Sequence, residues 1–217
     1  MNIALTGASG LTGQHLIPSL VQAGHQVFPF TRVDNNDPTT IFWNIAERKI
    51  EAHKLENMDA IINLAGHNIS SRRWSKQIKQ SIYDSRIQGT RLLVETLNTL
   101  DAPPKVLINA SAMGYYGSQG DRLLDETSPN GTGFLAKLCH DWEKEALKAQ
   151  TADTRVVLYR IGLILSVQGG ALKKMLPPFK LGLGGVLGNP HAYISWIDMN
   201  DLIQGLHFCL SNKNIQG

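Results

Sequence analysis

The glycines at positions 7, 10 and 13 constrain this chain more than any other feature, because they follow the apolar run Asn2–Thr6 and precede Leu16, Leu20 and Ala23 at helical spacing. A strand, a turn without side chains and a helix in that order let backbone approach a ligand closely and bring the helix against the strand. The helix N-terminus then faces whatever sits on the turn, and its free N–H groups favour phosphate. Gly24 stops the helix. The pattern predicts a dinucleotide site, with Gly7, Ser9, Gly10, Leu11 and Gly13 holding the pyrophosphate.

The next strand, Gln26–Thr31, bears on which dinucleotide is bound. An acidic side chain at its end would accept the ribose 2′-hydroxyl and repel a 2′-phosphate. Thr31 and Arg32 stand there instead. A planar guanidinium pairs with phosphate, so these two residues favour NADP, while Asp34 leaves NAD open.

Strand-like and helical stretches alternate onward: IFWN, Ala60–Leu64, a helix from Trp74 to Leu100 ended by Pro103-Pro104, Lys105–Ala110, a helix over Phe134–Ala149, and Arg155–Tyr159. Six strands with crossover helices predict an α/β fold with a doubly wound parallel sheet, over 1–160. The turn after the fourth strand, Leu64, Ala65 and Gly66, completes the candidate cofactor set. Past Ile161 the glycine- and proline-punctuated stretch predicts loops and short helices of a small, incomplete C-terminal substrate lobe, 161–217.

The 21 basic and 18 acidic residues give a net charge of +3, and the densest basic cluster is Arg72, Arg73, Lys76 and Lys79. That is too little for nucleic-acid binding and reads as a solvated face, with an anionic-ligand contact as the alternative. Cys139 and Cys209, seventy residues apart, suggest neither a zinc site nor a disulfide framework. No run approaches the ~18 apolar residues of a membrane span, and no leader pattern opens the chain. The expectation is a cytoplasmic monomer or homodimer with a small-molecule substrate, no metal, no membrane and no nucleic acid.

Ordered landmarks carry a family resemblance: the glycine loop, DAIINLAG over 59–66, Gly89-Thr90, SAMGYYG over 111–117, Asp125-Glu126-Thr127, Arg160, and SWIDMND over 195–201. Together they resemble the short-chain dehydrogenase/reductase superfamily, in its extended, epimerase/dehydratase-like branch. GYYG, FLAKLCHDWE and the SWID segment look like an atypical nucleoside-diphosphate-sugar-epimerase-like subfamily, sometimes labelled cell-division inhibitor. The resemblance implies a Rossmann fold that binds NAD(P). It also implies a further strand and helix after Gly217, so that part of the substrate lobe would lie outside this sequence.

The same resemblance exposes a departure. The superfamily moves protons with a tyrosine, a lysine four residues later, and a serine. Matching Glu143 to the family's glutamate puts Leu135 in the tyrosine slot and Cys139 in the lysine slot, and a one-residue shift gives Phe134 and Leu138. Lys137 lies roughly 200° round the helix from Leu135 and cannot simply substitute. Ala112 falls in the serine slot, with Ser111 beside it. Ser111, Tyr115 and Tyr116 are therefore the candidate catalytic residues. Arg86, where the family commonly carries an asparagine, reads either as an inward anion-binding cation or as a solvated helix residue. Arg160 needs an acidic or ligand partner, Asp198 is placed to cap the last helix, and His67 reads either as a polar loop residue or as the one histidine near the nicotinamide.

Two functions follow: an NADP-dependent oxidoreductase or epimerase-like enzyme acting on a hydroxylated or nucleotide-sugar-like molecule, or a non-catalytic dinucleotide sensor or regulator.

Overall fold

The computed structural model describes residues 1–69, 73–186 and 188–217. Seven strands form one sheet in the order β4-β3-β2-β1-β5-β6-β7. They are β1 (Asn2–Thr6), β2 (Gln26–Thr31), β3 (Ile41–Asn44), β4 (Lys49–Ile50), β5 (Ala60–Asn63), β6 (Val106–Ala112) and β7 (Arg155–Ile161). All neighbours are parallel except β3 and β4. The helices are α1 (Leu11–Gln22), α2 (Lys76–Leu97), α3 (Phe134–Ala146), α4 (Gly170–Lys180) and α5 (Met199–Ser211). The doubly wound parallel α/β architecture is thus the one expected, and all six expected strands are present.

Both faces of the sheet are covered, which is why its strands are apolar at consecutive positions rather than alternating. Ile3, Leu5, Ile62 and Ile108 point to one face, against Leu16 and Leu20 of α1 and Leu202 and Leu206 of α5. Ala4, Ile61 and Leu107 point to the other, against Leu93 and Leu97 of α2 and Ala146 of α3. Ser75 caps α2, its hydroxyl accepting from the Ile78 N–H at 3.2 Å, so the helix starts just inside the expected Trp74.

Three strands escaped the sequence pattern. β4 has two residues and turns back on β3, pairing Trp43 with Ile50. β8 (Leu163–Leu165) and β9 (Trp196–Asp198) form a separate parallel pair of three residues each. Gly162 makes that pairing possible, since a Cβ there would lie 3.0 Å from the Ser195 carbonyl oxygen. Asp198 caps α5 as expected, accepting from the Asn200 N–H at 2.7 Å. Beyond the expected division at residue 160, Met199, Ile203 and Leu206 of α5 pack in the same core as Ile3 and Leu16.

Candidate functional site

The chain runs from β1 outward through β2 and β3, then returns to β5 on the opposite side of β1. The carboxyl ends of β1 and β5 therefore part at a topological switch point, where open α/β sheets leave a crevice. Gly7 adopts φ +73°, and a Cβ on it would lie 2.8 Å from the carbonyl carbon and oxygen of Leu64. At Gly13 a Cβ would meet the Gly7 oxygen at 2.5 Å and the Ala8 oxygen at 2.6 Å. Any side chain at either position would fill this cradle with backbone on the far side. The Gly10 N–H closes the turn on the Gly7 carbonyl at 3.0 Å. α1 then begins at Leu11 with no acidic residue in its first turn and no side-chain cap, so its N-terminal dipole is left for an outside anion.

A buried polar network sets the crevice floor. Thr6 Oγ1 donates to Asn63 Oδ1 at 2.6 Å and accepts from the Leu64 and Ala65 N–H groups, both at 3.1 Å. Asn63 Nδ2 donates to Thr90 Oγ1 at 2.9 Å and Asn109 Oδ1 at 2.6 Å, and Trp142 Nε1 donates to the same Thr90 oxygen at 2.8 Å. Five side chains from β1, β5, β6, α2 and α3 thus hold the 64–66 turn at a defined height above Gly7. Sequence reasoning missed this network; asparagines inside the apolar runs IINL and VLINA were the available signal, since a buried amide must find partners.

At the rim, Thr31 ends β2 with its hydroxyl accepting from the Val33 N–H at 3.1 Å. Arg32 is exposed and has no ion-pair partner among the described residues. Ser9 and Gly10 are exposed on the loop, and Leu11 reaches over to Gly169, so the α4 end of the chain closes on the glycine turn.

The candidate catalytic residues converge on a single ion pair at the end of β6. Ser111 Oγ donates to Glu143 Oε1 at 2.5 Å. Arg160 grips that carboxylate with both edges, Nε to Oε1 and Nη2 to Oε2, each 2.8 Å. This is the acidic partner that Arg160 required. Its Nη1 also donates to the Tyr116 hydroxyl at 2.7 Å, and its Cζ lies 3.7 Å from the centre of the Tyr115 ring. Hydrogen bonding to Glu143 raises the Arg160 pKa further, opposed by burial. Tyr116 is 4% exposed and Ser111 3%. Tyr115 is half-buried, and its hydroxyl has no protein partner among the described residues. Asn130 Nδ2 and the Gly131 N–H both donate to the Tyr115 carbonyl, at 2.8 and 2.9 Å, so the tyrosine turn is gripped from outside.

Leu135 and Cys139 do face this turn from α3: a Cβ on Gly114 would lie 3.2 Å from Leu135 Cβ and 3.8 Å from Cys139 Sγ. Burial pushes the Cys139 thiol pKa up, and the Glu143 charge adds to it, against hydrogen bonds with the Ala112 backbone and Ser111. A cysteine is neutral as thiol and negative as thiolate, so Cys139 cannot supply the cation of the superfamily's lysine.

Lys137 points elsewhere, pairing with Asp141 at 2.6 Å on the exposed side of α3. Burial alone would raise the Asp141 carboxyl, but hydrogen bonds from Lys137, Tyr83 and His140 outweigh it and hold the pKa at about 2. Because the folded value lies below the unfolded one, this stabilisation is present above pH ~4 and is lost as pH falls through ~2. Denaturant unfolding at pH 5 and pH 2.5 should show that loss in the native chain and a smaller one in Asp141→Asn.

Arg86 lies inward: its Nη1 donates to the carbonyls of His67 at 3.1 Å and Ile82 at 3.2 Å. His67 is exposed in the loop after β5, its N–H donating to Ser85 Oγ at 2.9 Å. Of the basic cluster, Arg72 lies outside the described residues, Arg73 and Lys76 are exposed, and Lys79 Nζ sits 5.5 Å from the Phe134 ring centre. Among the described residues no group of three or more His, Cys, Asp or Glu could hold a metal, and no helix is long and apolar enough to cross a membrane.

Comparison with known proteins agrees with this geometry. The model of the NAD dependent epimerase/dehydratase family matches residues 3–216. An epimerase family protein of Mycobacterium bovis is 43% identical over 215 residues, covering 99% of this chain and 71% of its own length. The crystal structure of human epimerase family protein SDR39U1 with NADPH superposes with a TM-score of 0.89 at 32% identity, over 100% of this chain and 72% of that one. A UDP-glucuronic acid 4-epimerase of Bacillus cereus, solved with UDP-glucuronic acid and NAD, shares the fold at a TM-score of 0.79 and 18% identity, over 100% of this chain and 76% of that one. The glycine cradle at the switch point and a family match over almost the whole sequence lead to one conclusion: this chain belongs to the NAD dependent epimerase/dehydratase family, in the extended, atypical branch of the short-chain dehydrogenase/reductases.

Proposed function

We propose that the crevice between the ends of β1 and β5 binds a nicotinamide dinucleotide, NADP(H) in preference to NAD(H), and that the protein acts on a hydroxylated, nucleotide-sugar-like small molecule beside it. The observation that carries this reading is the cradle at Gly7 and Gly13, which a single Cβ would fill. Backbone N–H groups of Ser9, Gly10 and Leu11 would hold the pyrophosphate, Thr31 and Arg32 the 2′-phosphate, and Leu64, Ala65 and Gly66 the nicotinamide half. The NADPH in the human relative supports the choice of cofactor. When bound, the nicotinamide supplies hydride acceptance and donation.

The remaining chemistry belongs to the chain's own residues. Tyr115 offers the one hydroxyl of the three candidates without a protein partner among the described residues, so its Oη is the group available to meet a substrate hydroxyl and move its proton. Ser111 and Tyr116 are positioning residues, tied through Glu143 and Arg160. Arg160 against the Tyr115 ring orients the phenol. The substrate lobe would comprise α4 and the β8–β9 pair, with α5 serving the dinucleotide domain.

A second reading, a dinucleotide sensor without turnover, is favoured by Leu135 and the protonated Cys139 on the face that would otherwise carry tyrosine and lysine. Labelled hydride transfer from NADPH to any of a panel of sugars, ketones and aldehydes would exclude it.

Arg32→Ala separates the cofactor assignments. Losing one charge-assisted phosphate contact should weaken NADPH about tenfold and leave NADH unchanged. Equal loss for both cofactors, measured by calorimetric titration, would refute the 2′-phosphate role.

A further inference from the structure

We infer that Arg86 anchors a carboxylate or other planar oxyanion of the substrate in the crevice beside Gly66. The inference deepens the proposed function, since the anion would sit next to the nicotinamide half of the cofactor.

A guanidinium carries five N–H donors, and among the described residues only Nη1 of Arg86 is engaged, by the His67 and Ile82 carbonyls. Nε and Nη2, which share the side edge of the plane, have no protein acceptor among the described residues. No unpaired side-chain nitrogen or oxygen of the described, non-exposed residues is fully sealed from solvent, so Nε and Nη2 keep some access to the crevice. The plane is held by the Trp142 ring, whose centre is 5.2 Å from Cζ. Gly66 completes the placement: a Cβ there would lie 2.8 Å from Arg86 Cζ and 2.9 Å from Nη2. The guanidinium therefore lies against the turn that also touches Gly7, at the switch-point crevice and not on the outer face of α2.

Two of the other half-buried arginines are paired with carboxylates, and the third, like Arg86, donates to backbone carbonyls. Arg91 pairs with Glu145 at 2.9 Å, Arg160 with Glu143 at 2.8 Å, and Arg155 donates to the Cys209, Leu210 and Ile215 carbonyls. Arg86 has no carboxylate partner among the described residues, and the ionisable group nearest in influence is Cys139, whose thiol pKa burial pushes up. Withdrawing a cation from water without an acid is costly unless something else uses it. A free side edge of two donors in a planar fork matches a carboxylate or phosphoryl group in two parallel hydrogen bonds. The pyrophosphate already has the glycine loop, which leaves this edge to the substrate.

Oxalate serves as the probe. In ¹⁵N-labelled protein, the Nε–H resonance missing from Arg86→Lys identifies Arg86. We expect oxalate to shift it saturably, in the free protein and with NADPH bound, and to bind about tenfold or more weakly to Arg86→Lys and Arg86→Met. Gly66→Ala supplies an independent arm if those variants fold poorly, because its Cβ displaces only the flexible end of Arg86. It should retain the native circular dichroism and lose oxalate. No oxalate-dependent shift of the Arg86 resonance, or unchanged oxalate affinity in the variants, would overturn the inference. So would competition between NADPH and oxalate at that resonance, which would assign the edge to the cofactor. NADPH titrated into the same sample keeps the two readings apart: oxalate at Arg86 without NADPH binding removes the cofactor reading alone, and the reverse removes this one alone.

Discussion

Gly13→Ala should abolish saturable dinucleotide binding and lower stability by about 2–4 kcal/mol. The added methyl group would meet the Gly7 oxygen at 2.5 Å, the Ala8 oxygen at 2.6 Å and the Ala8 Cα at 2.7 Å. All three are backbone atoms, so relief requires the glycine loop and the start of α1 to separate. That movement destroys the approach on which the cofactor site depends. Gly185→Ala is the matched control, because nothing lies within 4 Å of its Cβ position. NADPH titration together with urea unfolding reads both effects. Unaltered binding by Gly13→Ala would mean that the dinucleotide does not rest on this loop.

Glu143→Ala should be the most destabilising single change near the tyrosine turn, by about 3–5 kcal/mol. Glu143 is 4% exposed and accepts from Ser111 Oγ, Arg160 Nε and Arg160 Nη2. Its removal leaves the Arg160 charge without its counter-ion, and Arg160 Nε, Nη2 and the Ser111 hydroxyl without their acceptor, in a largely dry site. The remedy follows from the same physics: Glu143→Leu combined with Arg160→Met removes both charges and should recover much of the loss. Chemical denaturation of the single and double variants measures this directly. A double variant no more stable than Glu143→Ala would show that shape, not charge pairing, holds the turn.

What the sequence revealed and concealed divides along the range of the interactions involved. The glycine turn, the β1–α1 unit and the Asp198 cap are local, so spacing and residue type were enough to place them. Arg160 is intermediate: burial at the end of an apolar strand demanded an acid, but nothing local chose Glu143, seventeen residues earlier on a helix, over its neighbours. Glu143 entered the sequence reading only as an alignment marker. Asn63, Thr6, Thr90, Asn109 and Trp142 were invisible as a network because their partners lie 27 to 57 positions away. The β8–β9 pair was missed because three residues per strand carry too little periodicity to register. Helix position alone allows Arg86 to face inward or into solvent, and the packing of Gly66 against its guanidinium turns it inward.

Hydrogen–deuterium exchange with and without NADPH offers the most direct measurement of where the cofactor rests. The predicted result is protection confined to three segments, 7–13, 31–33 and 64–66, which meet at the ends of β1, β2 and β5. Protection absent from all three, or concentrated instead along α4, would contradict a dinucleotide site at the glycine turn.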